Sequence, residues 1–203
     1  DGESGSDVIY GESGNDEITT NGSNNTVYGG TGNDSFTRGG GLFYGGDGDD
    51  SFNVTGILYG GEGEDTFSIS DGFSKVYGEN GDDTFKLEQD QYRYTFETLY
   101  DGGDGYDVLE ISGYTSYLEW EDEENGLSWE EPSLGHSAIL NIRNFEKIKI
   151  LDDGTHLQTA WEGNSAFTDD LIADGITFEI EFVDNNNVRI DASAELGLSL
   201  IHI

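Results

Sequence analysis

Single apolar side chains recur at short intervals along the first half of the chain, each set between polar or glycine positions. Such an x-apolar-x triplet is a short strand that turns its middle side chain to one face and the flanking pair to the other. The triplets fall into two alternating sets. One carries Ile18, Phe36, Phe52, Phe67, Phe85 and Leu109 at its centre; the other carries Ile9, Val27, Phe43, Leu58 and Val76. Recurrence at a fixed period predicts a coil of two triplets, stacked into two parallel sheets with turns along both edges. The two apolar ladders then face each other across a thin interior and form the core. Tyr10, Tyr28, Tyr44, Tyr59 and Tyr77 each precede a turn of one edge and are predicted to point outward as a third ladder.

The turns are of two kinds. From Gly29 the chain reads GGTGNDSFT, and the phrase Gly-Gly-x-Gly-x-Asp-x-apolar-x returns as GGDGDDSFN from Gly45, GGEGEDTFS from Gly60 and GGDGYDVLE from Gly102. GESGNDEIT from Gly11 and GENGDDTFK from Gly78 place glutamate in the second glycine slot, and GESGSDVIY starts at Gly2. Between them lie poorer phrases: TNGSNNTVY from Thr20, RGGGLFY from Arg38, VTGILY from Val54 and ISDGFSKVY from Ile69. Strict alternation from Gly11 to Tyr77 puts every intact turn on one edge of the coil. Glycine permits the positive φ of a tight turn with accessible carbonyls, and the aspartate at the sixth position adds a hard carboxylate oxygen.

This nonapeptide resembles the hemolysin-type RTX repeat over roughly residues 1–110. The resemblance implies an all-β fold, a parallel β-roll of calcium-binding nonapeptide repeats, followed here by a β-rich C-terminal capping module. Equivalent turns of successive coils lie about 4.8 Å apart, so two aspartates at that spacing repel unless a cation separates them. One Ca²⁺ between adjacent turns satisfies both, with backbone carbonyls completing six or more oxygens. Carried over position by position, the carboxylates are Asp16, Asp34, Asp50, Asp65, Asp83 and Asp107. The carbonyls come from the four residues opening each turn. These are Gly11, Glu12, Ser13 and Gly14, then Gly29, Gly30, Thr31 and Gly32, then Gly45, Gly46, Asp47 and Gly48. The column continues with Gly60, Gly61, Glu62 and Gly63, then Gly78, Glu79, Asn80 and Gly81, and finally Gly102, Gly103, Asp104 and Gly105. Six stacked turns leave five gaps. Residues 87–101 insert extra length before Gly102, so four or five ions are expected along one edge. Asp7 sits on the opposite edge and faces only Asn25. The side chains of Asp47, Asp49, Glu62, Glu64 and Asp82 are expected to be surface charges rather than ligands.

After Leu109 the repeat gives way to ordinary strand patterning. Hairpins are expected with Gly126 in one turn and Asp153-Gly154 in another, and Ile139, Ile142, Phe145, Ile148 and Ile150 are expected to close the open end of the coil. The phrases DVLEISGY, NIRNFEKIKI and DDGTHL are similar to a module often appended to RTX arrays. The expected division is a roll over 1–110, a capping module over 111–160, and a hairpin and tail over 161–203. A last hairpin, ITFEIEF with VRIDA, would turn through Asp184–Asn187. From Trp161 onward Arg189 is the single basic residue, and the chain stops on LGLSLIHI. In composition this tail resembles the uncleaved signal read by a type I secretion channel.

Charge narrows the partners. Eight Lys plus Arg against 43 Asp plus Glu give a formal net charge of -35. Nothing here can release counterions from nucleic acid or favour an anionic membrane surface. Cysteine is absent, so there is neither a disulfide framework nor a thiolate metal site. No apolar run is long enough for membrane insertion, and no nucleophile elbow, zinc-helix motif, phosphate loop or EF-hand spacing occurs. His136, His156 and His202 lie far apart in sequence. The chain begins in mid-phrase, as a C-terminal piece of a longer protein would. The expected function is a non-enzymatic calcium-binding module of a secreted, extracellular or cell-surface protein. It folds on calcium outside the cell and works with type I secretion machinery, any catalysis residing in an N-terminal portion. The alternative is an adhesion module whose tyrosine stripe or second-half strands bind cell-surface glycans; a third is the non-catalytic end of a polysaccharide-acting enzyme.

Overall fold

The structure, a computed structural model, describes residues 2–69, 74–89, 98–113, 118–122, 126–131, 136–152 and 177–182. Its strands in the first half are β1 (Gly2–Ser4), β2 (Val8–Ser13), β3 (Glu17–Ile18), β4 (Thr20–Asn21), β5 (Asn25–Thr31), β6 (Ser35–Asp47), β7 (Ser51–Glu62), β8 (Thr66–Ile69) and β9 (Lys75–Asn80). Then follow β10 (Thr84–Gln89), β11 (Thr98–Asp104), β12 (Val108–Gly113), β13 (Leu118–Asp122), β14 (Gly126–Glu131), β15 (His136–Arg143), β16 (Lys147–Asp152) and β17 (Thr177–Phe182). Among the described residues no helix is long and apolar enough to cross a membrane.

The strands wind into a parallel β-roll. One face runs β2, β5, the second half of β6, the second half of β7, β9, β11 and β15, every pair parallel. The other runs β3, the first halves of β6 and β7, then β8, β10, β12, β16 and β17, again parallel throughout. The register is the one the triplets predict: Phe36 pairs with Phe52, Phe52 with Phe67, and Phe67 with Phe85. On the facing sheet Val27 pairs with Phe43, Phe43 with Leu58, and Leu58 with Val76. Both ladders are buried, and Ile9 packs against the cluster from the open end. Phe36, Phe52 and Phe67 stack with centroids 4.7 and 4.8 Å apart, the strand spacing itself. Val54, Ile69, Leu87 and Ile111 add a third buried row, two residues beyond the central position of each triplet.

The roll does not stop at residue 110. β15 and β16 do not pair with each other as a hairpin; they continue the two parallel sheets as one more coil. Its turn is Asn144–Glu146, which carries no glycine. Ile142, Phe145 and Ile148 are buried there, and Phe145 meets Phe85 edge-on at 4.9 Å. These three side chains lie where the end-closing set was expected; the side chains of Ile139 and Ile150 lie outside those described. The hairpin ahead of this coil forms, β13 antiparallel to β14, with Gly126 opening β14 opposite Asp122. β14 pairs antiparallel with β15 and so edges one sheet. β17 pairs parallel with β16 and extends that sheet; VRIDA, its expected hairpin partner, lies outside the described residues. Residues 153–176 and 183–203, including Asp153-Gly154 and Asp184–Asn187, lie outside the described residues.

Candidate metal centre

The intact turns stack in one column, each at the end of a strand of the first face. Their backbones pair coil to coil: Gly30 lies opposite Gly46, Gly46 opposite Gly61, Gly61 opposite Glu79 and Glu79 opposite Gly103. The gap before Gly102 is therefore in register despite the inserted segment. Tyr100 takes the inward place after Val76, and Asp101 follows Tyr77 in the outward row. The second slot holds a left-handed backbone, with φ of 120° at Gly30 and 78° at Glu79. Glutamate at positions 12 and 79 thus occupies a conformation that glycine takes without strain.

From Asp34 onward, each aspartate of the column divides its two oxygens between two tasks. Oδ1 accepts the N–H of the preceding turn's aspartate: Asp34 Oδ1 from Asp16 at 2.8 Å, Asp50 from Asp34 at 2.7 Å, and Asp65 from Asp50 at 2.7 Å. Asp83 accepts from Asp65 and Asp107 from Asp83, both at 2.8 Å. Oδ2 of Asp16, Asp34, Asp50, Asp65, Asp83 and Asp107 is buried and has no hydrogen-bond partner. A side-chain carbon built on Gly11, Gly29, Gly45, Gly60 or Gly78 would overlap two oxygens at once. These are Oδ2 of its own turn's aspartate and the carbonyl of the first glycine in the next turn. Each gap therefore holds a point on which a carboxylate and a carbonyl converge, and only glycine leaves it open. The column is therefore polar: Oδ1 is engaged by the neighbouring backbone, and Oδ2 faces a single gap.

Among the backbone carbonyls expected as ligands, one in each turn is already engaged. The carbonyls of Thr31, Asp47, Glu62, Asn80 and Asp104, third in their turns, accept the N–H of Gly14, Gly32, Gly48, Gly63 and Gly81 at 2.7 to 2.9 Å. Those oxygens already serve the ladder. The fifth position carries a polar ladder that sequence reasoning missed: Asn15 Oδ1 accepts from Asn33 N–H at 3.0 Å, Asn33 from Asp49 at 3.1 Å, Asp49 from Glu64 at 3.0 Å, and Asp82 from Tyr106 at 2.8 Å. Asp49 and Asp82 are exposed, yet they cap backbone as well as carrying charge. Their regular recurrence one residue before the aspartate column was the available signal.

Burial raises the carboxyl affinities of the column for protons. Asp34 is pushed above its ordinary value, Asp50 to about 6, Asp65 to about 8, Asp83 to about 7 and Asp107 to about 6. Loss of water around the charged form is the main cause, with neighbouring carboxylates adding to it. Hard oxygens, one anionic per gap and the rest backbone, suit calcium by donor type, and a divalent ion would offset both causes. Among the described residues no three His, Cys, Asp or Glu side chains converge on one point. The donor set is a column of single carboxylates, and the backbone must supply the other oxygens.

The opposite edge is sealed differently. Asn25, buried, stands where an aspartate stands on the first edge, and its Oδ1 accepts Asp7 N–H at 3.1 Å. In place of an orphaned oxygen it presents Nδ2, which lies 3.4 Å from the Gly40 carbonyl and 3.5 Å from that of Asn21. The hydroxyl of Thr20 donates to Arg38 O, and that of Ser74 accepts from Gly56 N–H at 3.2 Å. Asp7, at the open end of this edge, keeps a buried Oδ2 without a partner, but from Asn25 onward neutral groups stand where the other edge has carboxylates. Asn25→Asp is expected to destabilise the protein by about 1–3 kcal/mol in calcium, since a buried carboxylate would face carbonyls with no proton to offer. Urea unfolding in saturating calcium measures it, and a neutral result would remove the amide from this role.

The tyrosine ladder stands on the outer face. Tyr10, Tyr28, Tyr44, Tyr59 and Tyr77 stack at 4.9 to 5.0 Å with planes within 9° of parallel. Their faces cover one another, so the middle of the stripe offers edges and hydroxyls to solvent. Tyr10, at the end, is 65% exposed.

The fold and the site together define a parallel repeat roll with a column of buried, half-satisfied carboxylates along one edge. Residues 1–36 and 59–90 match the RTX calcium-binding nonapeptide repeat, in four copies. The chain carries RTX calcium-binding repeats, and they lie in the parallel β-roll. No curated protein and no solved structure matches the chain.

Proposed function

We propose that this chain is a folding and export module. It stays unfolded where calcium is scarce and folds as calcium fills the aspartate column outside the cell. The observation that carries this reading is the column of buried Oδ2 atoms without partners. An ionised column cannot be compact at neutral pH unless something positive lies beside each orphaned oxygen, so folding waits on the metal. The proposed ligands are Oδ2 of Asp16, Asp34, Asp50, Asp65 and Asp83 with the carbonyls of the glycine turns that flank each gap. Extracellular modules commonly bind calcium with Kd of about 10⁻⁴–10⁻³ M, which leaves them empty in a cytosol and filled outside it.

A chain leaving tail-first through a narrow channel would then emerge unfolded and be captured coil by coil. The coil containing β15 and β16 emerges ahead of the glycine turns, and each ion bound opposes return. Residues 161–203 would supply recognition by a type I channel, and the column would supply the ratchet. Export through such a channel separates the roles. Removing residues 161–203 is expected to abolish export while the purified remainder still folds on calcium. Changing Asp34, Asp50 and Asp65 together to alanine is expected to spare engagement and slow release. Undiminished secretion of that triple variant, or of the unaltered chain into calcium-depleted medium, would leave calcium with a stabilising role only.

A further inference from the structure

The aspartate column holds one more orphaned oxygen than the glycine turns alone can use. Five gaps lie between the six glycine turns, and each takes the Oδ2 of the aspartate in its lower turn. Asp107, in the last glycine turn, is fully buried, and its Oδ2 likewise lacks a partner. What stacks on that turn is Asn144–Glu146, outside the nonapeptide pattern. There Glu146 takes over the part of the next aspartate: its Oε2 accepts the Asp107 N–H at 2.6 Å. The carbonyl of Asn144, a residue held at φ 54°, replaces that of the first glycine. A carbon built on Gly102 would overlap this carbonyl and lie 2.6 Å from Asp107 Oδ2, the same convergence found at every gap below.

We propose that a sixth calcium site, resting on the reading of the lower column as calcium sites, lies between the Gly102 turn and the Asn144 turn, held by Asp107 Oδ2 and the Asn144 carbonyl. It would tie the repeat to the coil that closes it. This site is built differently from the others. Three residues, Asn144–Glu146, stand where the turn below has six, Gly102–Asp107, so fewer backbone carbonyls are on hand. Beside this shorter turn lies an open surface depression of about 260 Å³, lined by Tyr77, Glu79, Asp101, Gly103, Asp104 and Asn144, which reaches the proposed site at Asn144. Calcium takes six to eight oxygens, and water entering from this depression completes the shell. Asp101 Oδ1 accepts from Asn144 Nδ2 at 2.7 Å, which holds the upper turn in position beside the depression. The terminal ion is thus the most hydrated of the column and the first to leave.

The test counts ions on the whole chain, by equilibrium dialysis against calcium with elemental analysis, and reads hydration with europium(III) as the probe from luminescence lifetimes in H₂O and D₂O. The unaltered chain is expected to hold six ions, and Asp107→Asn five, with loss of the most hydrated europium population. Gly102 does not lie in the left-handed region, so Gly102→Ala fills the convergence point without φ strain, at the cost of displacing the Asn144 carbonyl, and is also expected to hold five. This second variant decides the matter if Asp107→Asn fails to fold. Asp83→Asn, which touches a gap between two glycine turns, is the control. Five ions in the unaltered chain, five in both cap variants and four in Asp83→Asn would overturn the terminal site and leave the column reading intact. No change in any variant, Asp83→Asn included, would overturn the column reading itself.

Discussion

Stripped of divalent metal at pH 8 the protein is expected to be unfolded, and the same metal-free chain is expected to gain β structure on acidification to about pH 4. The sign follows from the direction of the shifts. Asp50, Asp65, Asp83 and Asp107 bind protons more tightly in the roll than in the unfolded chain, with folded values of about 6, 8, 7 and 6 against an ordinary 3.8. A group raised on folding contributes stability that is fully present below its unfolded value and is lost as pH rises through its folded value. The metal-free roll therefore weakens between about pH 4 and pH 8. All four groups act in the same direction across that window, against a stability that for a typical domain is only about 5–15 kcal/mol. Repulsion within a chain of net charge -35 acts in the same direction. Calcium at pH 8 should restore the fold, because an ion replaces the protons, and binding near pH 7 should release protons in proportion. Circular dichroism in chelator, titrated from pH 8 to pH 4 at low protein concentration, reads the effect. A full β signal in chelator at pH 8 would refute it.

Asp65→Asn is expected to act with opposite signs in calcium and in chelator. The amide keeps the Oδ1 that accepts Asp50 N–H at 2.7 Å, so the backbone ladder survives. It replaces Oδ2 by a group with protons facing the Gly78 carbonyl, the arrangement Asn25 uses on the other edge. In calcium the gap between the Gly60 and Gly78 turns loses its anionic ligand, and the cost is about 2–4 kcal/mol from the lost ion and its coupling to the coils on either side. Without metal the substitution removes the carboxyl whose folded pKa is raised most, to about 8. The metal-free roll should gain up to about 5 kcal/mol at pH 8, seen as an upward shift in the pH at which it unfolds. Asp65→Ala lacks the compensating acceptor and should destabilise the protein in calcium further than Asp65→Asn, by about 1–3 kcal/mol. A substitution at Asp65 that lowers stability equally with and without calcium would mean the residue only packs.

Much of this architecture is legible in the residues because the repeat is local. A nonapeptide carries its own turn and its own inward side chain, so the period settles the register. Phe36, Phe52, Phe67 and Phe85 fall in one buried row, and Val27, Phe43, Leu58 and Val76 in the other. Alternation of intact and poor phrases likewise places the aspartates on one edge, since a two-triplet coil leaves them nowhere else. Three features are legible only once coils are stacked. Which oxygen of each aspartate is free depends on a backbone N–H contributed by the neighbouring coil, a contact between residues 15 to 24 positions apart. That Asn25 satisfies the second edge depends on Gly40, fifteen residues along the chain. The coil through Ile142 and Ile148 carries no glycine phrase to announce it. It joins the roll because its apolar residues complete the two buried rows and because Asn144 and Glu146 offer the oxygens the last glycine turn lacks above it. Period and turn chemistry are properties of nine residues and can be read along a line. Satisfaction of buried polar atoms is a property of neighbours in space, and in this roll the neighbour is the next coil.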